Sequence, residues 1–512
     1  MSPIDVGPTQ GPESVRTYKS NRSGGTGGEA PKLVQDDTDL PLGTADARAL
    51  SWLNSNKDRS WRPKGVLIAD LKEHKGAISR MCVSDDHLFF LTGSHDGSVK
   101  VWDCSSLDRE VAKSSKLTYS QVGKVTAMCV CERSQSFASA TDVGSVHVVR
   151  VDCSSSAAMG DPSMGGGAWS QQRSFGGMTT VSSFDLSHER SVLHLQHCPK
   201  GNSSLLMVST QAGNVHAMDL RQKQIAYTLR PELRRGLPCC VCVGADRNWL
   251  VVGTTRGFFI VYDMRFQIDV QWWRHPSKCE IKCIEPYPAD KLCTLGGQAS
   301  TSAGPWVIAA AGRNQVSVWE VSSGVCEQHF SATASGYVSD VSDVGMRMGC
   351  EEDAVEGAKL SDFGLNELDA LSAPEESVRA VYMPSHCSYL LSGGTDRRIR
   401  FWNIVSPQDS HCLGGSQLEG ETSIYGSERI RGPMGEVEHV FEKRVPSTAV
   451  GGAYTQQTYF SGERRELIGA RGSLPKPPNE HSDAVTCLAI TKSPYGERLL
   501  SAGRDGVVKV WS

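Results

Sequence analysis

No stretch of this 512-residue chain stays apolar for the roughly 18 residues that a membrane-spanning helix needs. Its first residues, MSPIDVGPTQGPESVR, lack the apolar core of a secretory signal and the Met-Gly start of a myristoylation site. Charge of one sign is also lacking. Lys and Arg number 53 against 57 Asp and Glu, a net −4, which argues against a broad nucleic-acid surface and its strongly basic face. No paired-cysteine metal framework stands out either. CCVC (239–242) and CEIKC (279–283) look like ligand pairs, but neither has a second pair at zinc-site distance, so both read as core strands. The 17 cysteines are odd in number and scattered through apolar runs, as at Cys129, Cys131, Cys239, Cys240 and Cys242. They read as small core hydrophobes of a reduced, intracellular compartment.

What the chain does have is a repeat. TGSHDGSVKVWD places Thr92, Asp96 and Trp102 at relative positions 1, 5 and 11. The same spacing returns as Ser392, Asp396 and Trp402, and again as Ser501, Asp505 and Trp511. Weaker copies end at Val149, Met218, Tyr262 and Trp319, which makes seven units. Before the first tail, GVLIADL (65–71), AISRMCV (77–83), LFFLTG (88–93) and SVKVWD (98–103) read as four short strands in about 40 residues. That period belongs to a propeller blade. The last unit has three strands and the first has one to spare, so 65–71 is expected to supply the outer strand of the seventh blade. The fold class expected is all-β: a seven-bladed β-propeller over 61–512. A blade alone has two apolar faces and free edges, and radial stacking buries the faces.

Residues 1–60 are rich in Gly, Ser, Pro and Thr and are expected to be a disordered tail or linker. Within it, DARALSWLN (46–54) reads equally as a short helix or as linker. Three insertions interrupt the units, at about 154–190, 331–376 and 405–480. The first is Ser-, Gly- and Met-rich. The second carries eleven Asp or Glu against one Arg and one Lys, and the third shows no sustained periodicity. All three are expected as surface excursions outside the four-stranded units. The acidic run reads as a solvated loop or as a site for a basic partner.

The unit tails resemble those of the WD-repeat family. That resemblance implies a hydrogen-bonded chain in each complete unit, from Trp indole to hydroxyl to imidazole to carboxylate. His74, Thr92, Asp96 and Trp102 form one set; His481, Ser501, Asp505 and Trp511 form the other; Ser392, Asp396 and Trp402 form a set without a histidine. The residue types also match a Ser–His–Asp triad. A nucleophile needs no copies, whereas a structural bracket does, so the structural role is preferred. Asp362, Phe363 and Gly364 spell a kinase-like DFG, but the Gly-rich loop, strand lysine and HRD loop that a kinase needs are missing. No catalytic, cofactor-binding or metal residues are assigned.

A narrower resemblance rests on the order of WRPKG (61–65), YDMRFQ (262–267), HPS (275–277), WVIAA (306–310), RIRFWN (398–403) and GRDGVVKVW (503–511). Together they resemble the C-terminal propeller of the large regulatory subunit of the class III phosphatidylinositol 3-kinase. The resemblance implies a non-catalytic scaffold, with the class III lipid kinase and Beclin-type coiled-coil subunits as partners. It implies no nucleic acid, and a cytoplasmic location with indirect attachment to endosomal or autophagic membranes. Members of that family carry a protein-kinase-like domain and helical repeats that are not found here. The chain therefore reads as a fragment, a shortened gene product or a split relative. A generic WD-repeat adaptor, such as a ubiquitin-ligase substrate receptor, explains the fold but not the WRPKG or YDMRFQ segments. An enzyme with a central-channel site would need converging acids, bases or ligands that the sequence does not place.

Overall fold

A computed structural model describes residues 61–107, 114–157, 171–200, 203–288, 305–312, 314–333, 377–415, 421–432, 435–446, 480–493 and 496–512. The expectations for residues 1–60 (with the 46–54 stretch), for the acidic run at 340–376 and its DFG, and for most of 447–480 lie outside these residues. The described chain consists of strands and short 3-10 turns.

The strands run in chain order around a ring. β1 (Leu67–Leu71) precedes blade one, which is β2 (Ile78–Val83), β3 (Phe89–Ser94), β4 (Ser98–Asp103) and β5 (Leu117–Ser120). Blade two is β6 (Val125–Cys131), β7 (Ser136–Thr141), β8 (Ser145–Ala157) and β9 (Gln171–Asp185). Blade three is β10 (Val192–Lys200), β11 (Ser203–Thr210), β12 (Val215–Asp219) and β13 (Gln224–Leu229). Blade four is β14 (Pro238–Val243), β15 (Trp249–Thr254), β16 (Phe258–Asp263) and β17 (Ile268–Arg274). Blade five is β18 (Ile281–Pro286), β19 (Trp306–Ala311), β20 (Gln315–Glu320) and β21 (Cys326–Thr333). Blade six is β22 (Val378–Tyr382), β23 (Tyr389–Gly394), β24 (Ile399–Asn403) and β25 (His411–Gly414). A hairpin follows, β26 (Glu421–Gly432) and β27 (Gly435–Pro446). Blade seven is then β28 (Val485–Ser493), β29 (Gly496–Gly503) and β30 (Val508–Trp511), with β1 as its outer strand.

The innermost strands touch in sequence, β2 on β6, β10, β14, β18, β22, β28 and back to β2, so the ring is closed. Hydroxyl and thiol groups near the start of the inner strands donate across the seams to the next blade's backbone. Ser79 Oγ reaches Val125 O at 2.6 Å, Thr126 Oγ1 reaches Val192 O at 2.6 Å, and Cys239 Sγ reaches Ile281 O at 3.0 Å. Thr486 Oγ1 to Ile78 O, at 2.8 Å, does the same at the closing seam. Each of the seven seams encloses its own apolar cluster. The cysteines of CCVC sit in one of them, with Cys240 and Cys242 fully buried, and Val241 faces the neighbouring seam. A core built of seven flat seams rather than one central ball is what two-faced sheets stacked radially must give.

Closure falls where the unpaired first strand predicts. β1 runs antiparallel to β30, with Leu67 opposite Trp511 and Leu71 opposite Val508. Lys64 N donates to Ser512 O at 2.6 Å, and Ser512 N donates to Val66 O at 2.9 Å. The buried Lys509 Nζ reaches Asp70 Oδ1 at 2.8 Å.

The insertions lie differently from the sequence expectation. β9 falls inside 154–190 and is the outer strand of blade two, so that excursion opens between the third and outer strands of its blade. Only Thr179, Thr180 and Val181 in it are β-branched, and its glycines and serines favour no strand, so pairing with β8 decides its state. The second insertion begins inside β21. The third, expected to lack periodicity, contains β25 and both strands of the hairpin. Blade one, in turn, takes as its outer strand Leu117–Ser120, which the sequence reading did not single out.

Candidate functional site

Blades one and seven hold the same four-residue bracket. Trp102 Nε1 donates to Thr92 Oγ1 at 2.9 Å, and that hydroxyl lies 2.7 Å from His74 Nε2. His74 Nδ1 lies 3.1 Å from Asp96 Oδ2. A hydroxyl that accepts from the indole donates onward, so Nε2 accepts and Nδ1 carries the proton toward the carboxylate. In blade seven Trp511 Nε1 donates to Ser501 Oγ at 2.8 Å. That hydroxyl lies 2.8 Å from His481 Nε2, and His481 Nδ1 lies 3.0 Å from Asp505 Oδ2.

Burial alone would raise the Asp96 carboxyl. Hydrogen bonds from the Ser98 hydroxyl, from two backbone amides and from His74 override it and hold the group down to about 2. Asp505 is lowered in the same way, with His481 as the leading partner against burial. Burial lowers His74 and outweighs the pull of Asp96, which favours the neutral imidazole that the bracket uses. Thr92 and Ser501 are fully buried and engaged by an indole. A hydroxyl with no open approach offers a substrate nothing, so this geometry belongs to a brace and not to a nucleophile.

Blade six has no histidine at this place. Trp402 Nε1 still donates to Ser392 Oγ at 2.8 Å. Asp396 turns to Arg400 Nη2 at 2.5 Å, and Arg444 Nη2 of the hairpin lies 3.6 Å away. Arg400 Nε in turn donates to Glu442 Oε2 at 2.5 Å, while Arg398 lies 3.6 Å from the same carboxylate's other oxygen. Ser423 Oγ donates to Glu442 Oε1 at 2.6 Å. Burial would raise both carboxyls, but the arginines and hydrogen bonds hold them down. Arg400 is raised by its two carboxylates against the burial that would lower it. Arg400 of β24 therefore takes the carboxylate that an imidazole takes in blades one and seven, and the hairpin's Glu442 and Arg444 complete the ion cluster around it.

Its strand β27 lies parallel to β21, with Gln328 opposite Glu438 and Thr333 opposite Lys443, and turns blade five into a six-stranded sheet. Tyr425 of β26 meets the edge of the Trp402 ring at 5.9 Å. Two further brackets escaped the sequence reading. Gln121 replaces histidine in blade two, accepting from Ser139 Oγ at 2.7 Å and donating to Ser145 Oγ at 2.9 Å. Glu189 in blade three receives Thr210 Oγ1 at 2.9 Å and Asn214 Nδ2 at 2.8 Å. The signal for Gln121 was position: it precedes Val125 by four residues, as His74 precedes Ile78 and His481 precedes Val485.

An open groove of about 830 Å³ crosses the turns of blades one to four, with Asp85, Glu132, Arg133, His197, Arg221 and Arg247 on its walls. Charges of both signs alternate there, and His197 Nε2 is taken by Ser204 Oγ at 2.8 Å. Among the described residues no three His, Cys, Asp or Glu side chains converge as metal ligands.

A family model, "WD domain, G-beta repeat", matches residues 65–103, 366–403 and 473–512. The chain is 28% identical over 503 residues to "Serine/threonine-protein kinase VPS15" of Arabidopsis thaliana, covering 94% of this chain and 31% of that protein. It is 24% identical to "Probable serine/threonine-protein kinase vps15" of Dictyostelium discoideum, covering 90% and 27%. Against "Putative serine/threonine-protein kinase VPS15" of Komagataella pastoris it is 25% identical, covering 88% and 31%. The chain thus spans about a third of the length of these relatives.

Proposed function

We propose that this chain, a WD-repeat propeller of the VPS15 kind, is a non-catalytic scaffold and a regulatory part of a class III phosphatidylinositol 3-kinase complex. In this reading it supports formation of phosphatidylinositol 3-phosphate in endosomal or vacuolar sorting and in autophagy. Its partners are the lipid kinase catalytic subunit and Beclin-type coiled-coil subunits. Its place is cytoplasmic, held at endosomal and autophagic membranes through the complex.

One observation carries the reading: the similarity extends over 94% of the chain. The chemistry agrees. The buried polar groups described above brace blades against each other, and their hydroxyls are closed to solvent. The kinase in the relatives' names has no counterpart in the propeller, whose described strands are all accounted for by blades and one hairpin.

Co-expression of the whole chain with the lipid kinase and a Beclin-type subunit tests the proposal. Recovery of a stoichiometric complex by affinity purification and gel filtration is expected. A folded chain that captures neither subunit overturns the proposal.

A further inference from the structure

The outer strand of blade four stands apart from its neighbours. Ile268 and Val270 on β17 are 55% and 57% exposed, and Phe266 in the preceding turn is 70% exposed. Pairing slips between Val261 and Tyr262, so β17 carries a bulge. The bulge lets Asp269 and Trp272 both reach Arg235 on the side of blade three, at 3.2 Å and with the guanidinium 4.7 Å from the ring. Gln271 and Trp273 face the other way, over Gly324 of blade five. Bulges of this kind re-aim side chains and gather beside binding sites.

Against β17 lies a groove of about 200 Å³, lined by Val270, Gln271, Trp273, Ser322 and Ser323 among others. Trp273 is 2% exposed and packs its ring against Phe259 and Trp319, with centroids 5.1 and 6.1 Å away, so it forms the floor of the groove. Ser322 and Ser323 hydroxyls, in turn, donate to Glu320 at 2.8 and 2.5 Å, so a carboxylate lies just beneath the groove. Glu327 stands near Glu320, with no cation paired to it among the described residues; burial raises its carboxyl first, and the charge of Glu320 raises it further.

The next blade shows what such an edge does in this molecule. β21 accepts β27 as an added strand over six residues, whereas among the described residues β17 pairs only with β16. We propose that the outer edge of blade four docks an extended peptide segment of a partner protein, which adds a strand to β17 and carries Lys or Arg toward Glu320 and Glu327. Strand addition draws its affinity from main-chain bonds and its specificity from alternate side chains, here an apolar residue on Ile268 and Val270. A second copy of the chain is a poor occupant. A two-fold contact brings the same patch from both sides and would set this acidic pair against itself. The proposal stands whichever complex the propeller joins.

The probe is a fluorescein-labelled nine-residue peptide of alternating valine and threonine with three lysines, titrated into the whole chain by anisotropy. Two controls replace alternate residues by proline or the lysines by glutamate. Both are expected to bind at least tenfold more weakly. The exposed double variant Ile268→Lys/Val270→Lys is expected to lose at least tenfold in affinity with an unchanged melt. The Trp273 indole proton, identified in a nitrogen-15 spectrum by its loss in Trp273→Phe, is expected to shift on saturation with the lysine peptide. No binding at millimolar concentration overturns the proposal, as does equal binding of all three peptides or an indole signal that stays in place. Self-association of the chain that disappears in the lysine variant also overturns it, by giving the edge to a second copy.

Discussion

Asp505 holds His481 through Nδ1 and also receives the backbone amides of Ser482, at 2.9 Å, and Val507, at 3.1 Å. Removing its carboxylate strands a buried imidazole and two amides, and a buried group left unpaired costs about 1–3 kcal/mol. Asp505→Ala is therefore expected to lower stability by roughly that amount in a urea melt followed by circular dichroism; an unchanged midpoint would refute the bracing role. Acid makes a second residue-scale expectation. Asp96 is held down to about 2, below its unfolded value near 4. Its contribution is complete above pH about 4 and drains away as pH falls toward 2. Asp96→Asn should flatten the acid limb of the stability curve in that window, and a pH titration of the melting midpoint checks it. These brackets were legible because Thr92, Asp96 and Trp102 lie within one hairpin, where spacing survives in sequence. Glu189 and Gln121 were not, because glutamate and glutamine before a strand have many other uses, and only the folded register shows which hydroxyl each receives.

The β26–β27 hairpin makes the sharpest expectation for an element. Glu442 is 1% exposed between Arg400 and Arg398. Breaking a buried pair by removing one partner costs about 3–5 kcal/mol, more than the pair itself contributes. Glu442→Gln should cost that much and should speed amide exchange in β27 and in the Gln328–Thr333 register opposite it; hydrogen exchange with mass spectrometry reads both. A variant that loses stability while β27 stays protected would separate the ion cluster from the docking. Sequence patterning could not find this element for two reasons. Glu438 and Gln328 are paired although 110 positions separate them. The hairpin also buries Glu442 and Arg444 on one face and His439 on the other, where a binary pattern asks for apolar residues.

At the scale of the ring, β1 is the seal. It covers the outer edge of β30 and pairs Asp70 with the buried Lys509. Deleting residues 61–71 leaves that ammonium without its carboxylate and bares a flat edge beside Trp511. A loss of about 3–5 kcal/mol is expected from the orphaned charge. Self-association visible by light scattering is expected from the edge. A monomeric truncation with an unchanged melt would refute the seal. Seven repeats and an unpaired first strand were enough to read the ring and its closure from sequence. The outer strands of blades one, two and six were not readable: Leu117–Ser120, Gln171–Asp185 and His411–Gly414 are short or polar, and they become strands only against the blade they complete.

The same pairing sets an order in time. Leu67 faces Trp511, 444 positions later in chain order, so during synthesis β1 emerges with no partner and waits until the last blade has been translated. Blades one to six can form hairpin by hairpin behind it, because their pairings are local and locally paired units form early. Blade seven cannot. The ring is therefore a late, all-or-none event, and a ribosome-bound chain stopped before Val508 would hold six finished blades and two loose flanks.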